Sequence, residues 1–170
     1  NADTIAKHAD RLHPGFELKK VYLDAYPQVS SASGDAYPDV NEELQTLFSR
    51  GILTFCYSGH GSENQITGEL ILQKSDLQTM TNRDVLPLFI TATCSFSRYD
   101  HVDIEEDNNY AIEPLTSAGE SGILNHDGGA VALLTTSRVV YSSSNTVLAK
   151  NVFTNLFSKD ENGDPIPLGE

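Results

Sequence analysis

At 170 residues the chain suits one domain, and 39% apolar residues are enough for an ordinary core. Its 11 basic and 24 acidic residues give a formal charge of −13, which argues against nucleic acid or an anionic membrane surface as a partner. No apolar run approaches the roughly 18 residues of a membrane span, and two cysteines do not make a disulfide framework.

The chain opens on Asn1-Ala2 without Met and closes on a Pro165 to Glu170 turn that points toward a further element. It is therefore expected to be a piece of a longer protein. Ile5, Ala9 and Leu12 have helical spacing, with Asp3 or Thr4 as N-cap, and His8 and His13 read as solvated surface. Phe16 to Leu23 alternates apolar and charged residues, as a strand near a sheet edge does. Ala25 to Tyr37, rich in Ser, Gly and Pro, reads as a connecting loop. Pro38-Asp39 opens a helix through Leu44, Leu47 and Phe48, closed by Gly51.

Ile52 to Tyr57 reads as the first central strand, with Cys56 a small core residue inside it. Gly61 to Gly68 is polar loop, Leu70 to Leu72 a short strand, and Ser75 to Met80 a short helix capped by Ser75. Leu86 to Thr93 is the second central strand, its Pro87 tolerated near the start. Ser95 to Pro114 reads as loop and Ala118 to Leu124 as a short helix. Gly128-Gly129 is a turn, and Ala130 to Thr136 a third buried strand. Ser144 to Phe157 reads as an amphipathic helix through Val147, Leu148, Val152, Leu156 and Phe157, and Asp160 to Asp164 as a turn. The alternation predicts an α/β fold of three layers, a doubly wound and mainly parallel sheet with helices on both faces.

Both central strands end on a reactive side chain, His60 after Thr54 to Gly59 and Cys94 after Phe89 to Thr93. Carboxyl ends of adjacent parallel strands share one crevice, where sites are built. A free thiol is only a few per cent thiolate at neutral pH and needs a neighbouring base to act as a nucleophile. Imidazole can take that proton and later return it to a leaving amine. Gly59 and Gly61 allow a sharp bend and a close approach, and the backbone N–H groups of Gly61 and Cys94 are candidates for an oxyanion hole. Each residue alone has a plainer reading, a structural turn for His60 and a core thiol for Cys94. A Cys56–Cys94 bridge is conceivable if neighbouring strands bring the two together. Zinc would want three or four ligands, and neither Cys-x-x-Cys nor His-x-x-x-His occurs.

An apolar strand with Gly-His-Gly, followed 34 residues after the histidine by an apolar strand with Ala-x-Cys, resembles the caspase-like and gingipain-like cysteine peptidases. The segments YSGHGSEN (Tyr57 to Asn64), LPLFITATCSFSRYDH (Leu86 to His101), SAGE (Ser117 to Glu120), GGAVALLTTSRVVYSSSN (Gly128 to Asn145) and PLGE (Pro167 to Glu170) are similar to the gingipain branch, and within it to the PorU-type peptidase of type IX secretion. The resemblance implies a catalytic domain with Cys94 as nucleophile, His60 as general base and a doubly wound α/β sheet. It implies an exported protein of a Gram-negative cell surface or outer membrane. Its partners would be secreted proteins bearing C-terminal sorting signals and other outer-membrane secretion components, with possible transpeptidation to a surface glycolipid.

The resemblance places the acid that orients the histidine, and a second acid that selects a basic residue, upstream of Asn1; Asp24 and Glu69 are not assigned to either role. It also points to Arg138 and Tyr141 as substrate-pocket residues, against a turn that merely packs on the sheet. No cofactor is required. Structural calcium is possible in the acidic loop of Asp100, Asp103, Glu105, Glu106 and Asp107, whose spacing matches no standard calcium loop and equally reads as solvated. Glu120 either bonds a loop near Cys94 or starts a helix; His101 and His126 read as exposed loop residues.

Overall fold

The computed structural model describes residues 1–31, 34–100, 102–104 and 112–167. Ile5 and Ala9, one helical turn apart, are the buried positions of helix α1 (Ala2–Leu12), which starts from Asn1 rather than from Asp3 or Thr4. They pack on Ala149 and Phe153 of helix α5 (Ser142–Asn155) and on Leu156 just past its end, and both helices cover Ile90. On the opposite face Val40, Leu44 and Phe48 of helix α2 (Pro38–Arg50) pack with Leu77 of helix α3 (Lys74–Thr79) and Ala118 of helix α4 (Ala118–Leu124).

Between these layers lie strands β3 (Thr54–Ser58), β4 (Leu88–Ala92) and β7 (Ala132–Leu134), all parallel, in the order β3-β4-β7. Side chains alternate across β4, so Phe89 joins Phe48 and Phe55 while Ile90 faces α1 and α5. This is the expected three-layer α/β arrangement, with helices on both faces of a parallel sheet.

Two small antiparallel pairs complete the strands. β1 (Val29–Ser31) pairs with β2 (Gly34–Ala36) inside the segment read as loop, and β5 (Val102–Ile104) with β6 (Ile112–Pro114) inside the second. Among the described residues, no helix is long and apolar enough to cross a membrane.

Several local expectations change. Phe16 to Leu23 is not a strand but an exposed extended run ending in a single 3₁₀ turn, held by ion pairs of Lys20 to Asp3 (2.8 Å) and Lys19 to Glu43 (2.6 Å). Leu70 and Leu72 take positive φ (53° and 44°), which breaks the strand expected there. Helix α3 is capped by Gln73, whose partner Asp76 completes a capping box, rather than by Ser75. β7 is shorter than expected and half-open at its end, with Leu134 exposed.

In α5 the buried stripe runs through Asn145, Ala149 and Phe153, and Leu156 continues it just past the helix end. Val147 and Leu148 instead face outward, 59% and 50% exposed. His8 and His13 are not simply solvated: His13 Nε2 bonds the Phe153 carbonyl (2.8 Å) and its ring meets Phe16 and Phe157, while His8 Nε2 meets Thr154 Oγ1 (3.0 Å). The Asp160 to Asp164 turn forms as read, its Asp160 carboxylate accepting the amides of Asn162 and Asp164. The end of the PLGE segment, residues 168–170, lies outside the described residues.

Candidate active site

The register of the central ladder fixes how the two motif ends meet. Thr54 pairs with Leu88, Cys56 with Ile90 and Ser58 with Ala92, a constant offset of 34. The same offset separates His60 from Cys94, and each lies two residues past the last paired residues, Ser58 and Ala92, of adjacent parallel strands. The last ladder bond runs from Gly59 N–H to the Ala92 carbonyl (3.4 Å).

The histidine loop is shaped by its neighbours. The Tyr57 hydroxyl donates to the His60 carbonyl (2.7 Å), folding the loop back over its own strand. A Cβ on Gly59 would lie 2.7 Å from Tyr57 Cζ, and one on Gly61 would collide with Thr93 Oγ1 and lie 3.2 Å from the Ile66 carbonyl. Neither glycine has positive φ. Both are glycine for space rather than for backbone freedom, which corrects the sharp-bend reading. Burial, with the Glu69 charge adding to it, pushes the Tyr57 phenol well above its ordinary range. His60 is exposed, and among the described residues its ring makes no hydrogen bond.

Cys94 is half-buried and free, its Sγ 3.9 Å from the Val140 carbonyl. The residue after it, Ser95, sits at φ 52° although it is not glycine, and is buried. Such conformations persist only where surroundings enforce them and cluster at functional sites. Here the enforcement is visible: Ser95 N–H donates to the Arg138 carbonyl (3.2 Å), Ser97 N–H to that of Thr136 (3.1 Å), and Thr136 Oγ1 to that of Thr93. The segment after β7 thus clasps the Cys94 turn. The N–H groups of Gly61 and Cys94 have no acceptor among the described residues, which leaves both able to donate to a bound group.

Arg138 and Tyr141 lie on that clasping segment, but differently. Arg138 makes a two-pronged ion pair with Asp100, which holds the Asp100 carboxyl below the usual carboxylate range and raises the guanidinium. Tyr141 stands 84% exposed at the N-cap of α5, beside Val139 at 82%. Glu120 resolves to its plainer reading: it closes a capping box with Ser117, accepting from the Ser117 N–H (2.8 Å). Of the acidic loop, only Asp100 has a described side chain; 105–107 and His101 lie outside the described residues. His126 is exposed beside Asp127. No group of three or more His, Cys, Asp or Glu among the described residues is placed to hold a metal ion.

Cys56 departs most from expectation. It is free and exposed on β3 rather than a core residue, and no bridge joins it to Cys94. The protein mass around it nonetheless pushes its thiol up to about 12 by desolvation. Exposure gives reagents access to this sulfur, while desolvation keeps its thiolate content low. A cavity of about 270 Å³ lies elsewhere, between α2, α3 and the Met80 to Asn82 turn that enters β4 from its amino end.

Sequence reasoning missed one link. Arg98 Nη1 meets Glu63 Oε1 at 3.1 Å, tying the loop after Cys94 to the loop after His60. The signal was there: opposite charges three residues past His60 and four past Cys94, on loops leaving adjacent parallel strands.

Comparison with known proteins agrees with the fold. A solved structure of the Porphyromonas gingivalis RgpB pro- and mature domains in complex is similar in fold, with a TM-score of 0.56 and 17% identity. That likeness covers 71% of this chain and 26% of the other, so this chain spans about a quarter of the length of that relative. A comparison with curated proteins gives no match. The family model described as Peptidase family C25 matches residues 1–170, the whole sequence, and the chain therefore belongs to peptidase family C25.

Proposed function

We propose that this chain is a cysteine endopeptidase domain with Cys94 as nucleophile and His60 as general base. The reading rests on one observation, that His60 and Cys94 each follow by two residues the last paired residues, Ser58 and Ala92, of adjacent parallel strands. In the reaction, the Cys94 thiol gives its proton to His60 as the sulfur attacks a peptide carbonyl. The free N–H groups of Gly61 and Cys94 receive the oxyanion. Collapse forms a thioester and releases an amine that takes the proton from His60; water or another amine then resolves the acyl-enzyme. Arg138, engaged by Asp100, and the outstanding Tyr141 would border the substrate.

The quoted motifs support a finer reading, in which the domain removes C-terminal sorting signals from exported proteins at a Gram-negative cell surface. An amine of a surface glycolipid would then be an alternative acyl acceptor to water. Such a role would pair it with other outer-membrane secretion components and require no cofactor. Calcium on the acidic loop would be structural.

A second reading, a catalytically silent domain that binds peptides or scaffolds a secretion complex, is favoured by the His60 ring, which has no orienting hydrogen bond among the described residues.

The test is cleavage of peptides bearing C-terminal signals, run beside Cys94→Ala and His60→Ala, with labelling of Cys94 by a peptidyl electrophile. Cleavage abolished by both substitutions supports the endopeptidase. Peptide binding with neither cleavage nor labelling establishes the silent domain.

A further inference from the structure

We propose that Arg98 and Glu63 form a positioning pair that sets the spacing of His60 and Cys94, an inference that rests on the endopeptidase reading. The backbone ladder between the two strands gives out at Gly59, whose bond to Ala92 is already long at 3.4 Å. From there the His60 loop and the Cys94 loop need another connection to keep a fixed separation. Part of it is steric, Gly61 resting on Thr93. Part is the Glu63 carbonyl, which accepts the Ala118 N–H at 2.6 Å and so anchors the histidine loop to the start of α4. The direct polar bridge is the ion pair, from four residues past the cysteine to three past the histidine, at 3.1 Å.

Two features set this pair apart from an ordinary surface ion pair. Arg98 Nε is buried with no acceptor among the described residues, so the inner end of the guanidinium is shielded from water although the side chain as a whole is 39% exposed. Its own main chain is also fixed, since Arg98 N–H donates to the carbonyl of Ser95, the strained residue beside the nucleophile. A shift of Arg98 is thereby passed to the Cys94 turn, and a shift of Glu63 to the His60 turn. Partly exposed pairs contribute little to stability, whereas a displacement of about 1 Å between reacting groups can cost about a hundredfold in rate. Geometry is where this pair has leverage.

The experiment is the rate of Cys94 alkylation by a peptidyl chloromethyl ketone on the full chain. Variants are Arg98→Gln, Glu63→Gln, Arg98→Lys, His60→Ala and the Arg98→Gln/His60→Ala double. Removing either charge should slow alkylation about tenfold to a hundredfold. Arg98→Lys should stay close to the parent, and the melting temperature and Cys56 alkylation should not move. Because the pair acts on the separation of Cys94 from His60, Arg98→Gln should add nothing once His60 is removed in the His60→Ala background. Parent-like alkylation in Arg98→Gln and Glu63→Gln, or an equal loss with and without His60, overturns the positioning pair alone. If His60→Ala itself leaves Cys94 alkylation unchanged, the dyad fails and the positioning pair with it. Should Arg98→Gln not fold, Glu63→Gln tests the same bridge from its other side.

Discussion

Gly61 rests directly against the Thr93 side chain, whose hydroxyl is buried without a partner among the described residues. This contact joins the turn after His60 to the residue before Cys94. Gly61→Ala would force the two apart, and overpacking of this kind costs about 1–3 kcal/mol. Thr93→Ala removes both the Oγ1 and the Cγ2 that a new methyl would meet, so it should restore much of the loss in the double variant. Denaturant unfolding of the two singles and the double measures the coupling. Additive losses would show that the methyl is not being placed against Thr93. Thr93→Ala alone should cost little, because it deletes an unsatisfied polar group along with a methyl.

The two thiols should separate cleanly under iodoacetamide. At pH 7, mass mapping of the native protein should find Cys94 modified well before Cys56, despite the exposure of Cys56. With its thiol pushed up to about 12, Cys56 holds almost no thiolate at neutral pH, and its labelling should rise about tenfold per pH unit through the alkaline range. Equal labelling at pH 7 would count against a Cys94 activated by its surroundings.

These cases also show what the residues disclosed in advance. Both central strands and the 34-residue spacing were legible because each is a short apolar run bounded by loop residues, although β4 is buried and β3 only partly so. Helix α2 was legible from Pro38 at its start and Gly51 at its end. The environment of Cys56 was not, because burial of an apolar strand depends on whether a neighbour covers it, and β3 pairs on one side only among the described strands. The facing of α5 was lost for a similar reason: Val147 and Leu148 are apolar, but Asn145 and Ala149 point at the sheet. The alternation in Phe16 to Leu23 was real, yet it produced an extended run tethered by lysines rather than a ladder.

That tether gives a proteolytic prediction. Asp3 holds Lys20 at 2.8 Å and Lys7 at 2.7 Å and also accepts from the Tyr22 hydroxyl. Asp3→Ala should free the exposed run and speed tryptic cleavage after Lys19 and Lys20, with little change in the unfolding midpoint. Unchanged cleavage kinetics would mean that the run is held by its contacts with α5 and α2 instead.

Asp100 and Arg138 supply a pH signature. The Asp100 carboxyl titrates below its unfolded value because the guanidinium hydrogen-bonds it. Its contribution to folding is therefore complete above an ordinary carboxylate pKa of about 3.9 and fades as pH falls through the depressed folded value. Asp100→Asn should be slightly less stable than the parent near neutrality and converge with it in strong acid. Parallel unfolding curves across that window would show that the pair carries no stability.

Ser117, 1% exposed at the head of α4, offers a simpler check. Its hydroxyl accepts the Glu120 N–H and donates to the Glu120 carboxylate. Ser117→Ala should cost about 1 kcal/mol, read by thermal unfolding, and more if the buried carboxylate contact is left short of a donor.

The strand order β3-β4-β7 has a dynamic consequence for the pair of strand ends. β4 is flanked on both sides, and its Phe89, Ile90 and Thr91 are at most 2% exposed, whereas β3 is bounded on one side only among the described strands. Local opening draws on the least protected segments first. The amides of β4 should then exchange with deuterated solvent last among the three strands, and those of β3 well before them. Cys94 hangs from the slowest-opening strand and His60 from one that frays sooner. On heating, the sulfur would hold its place after the imidazole had begun to wander, and reactivity that depends on both would fade below the temperature at which the sheet itself melts.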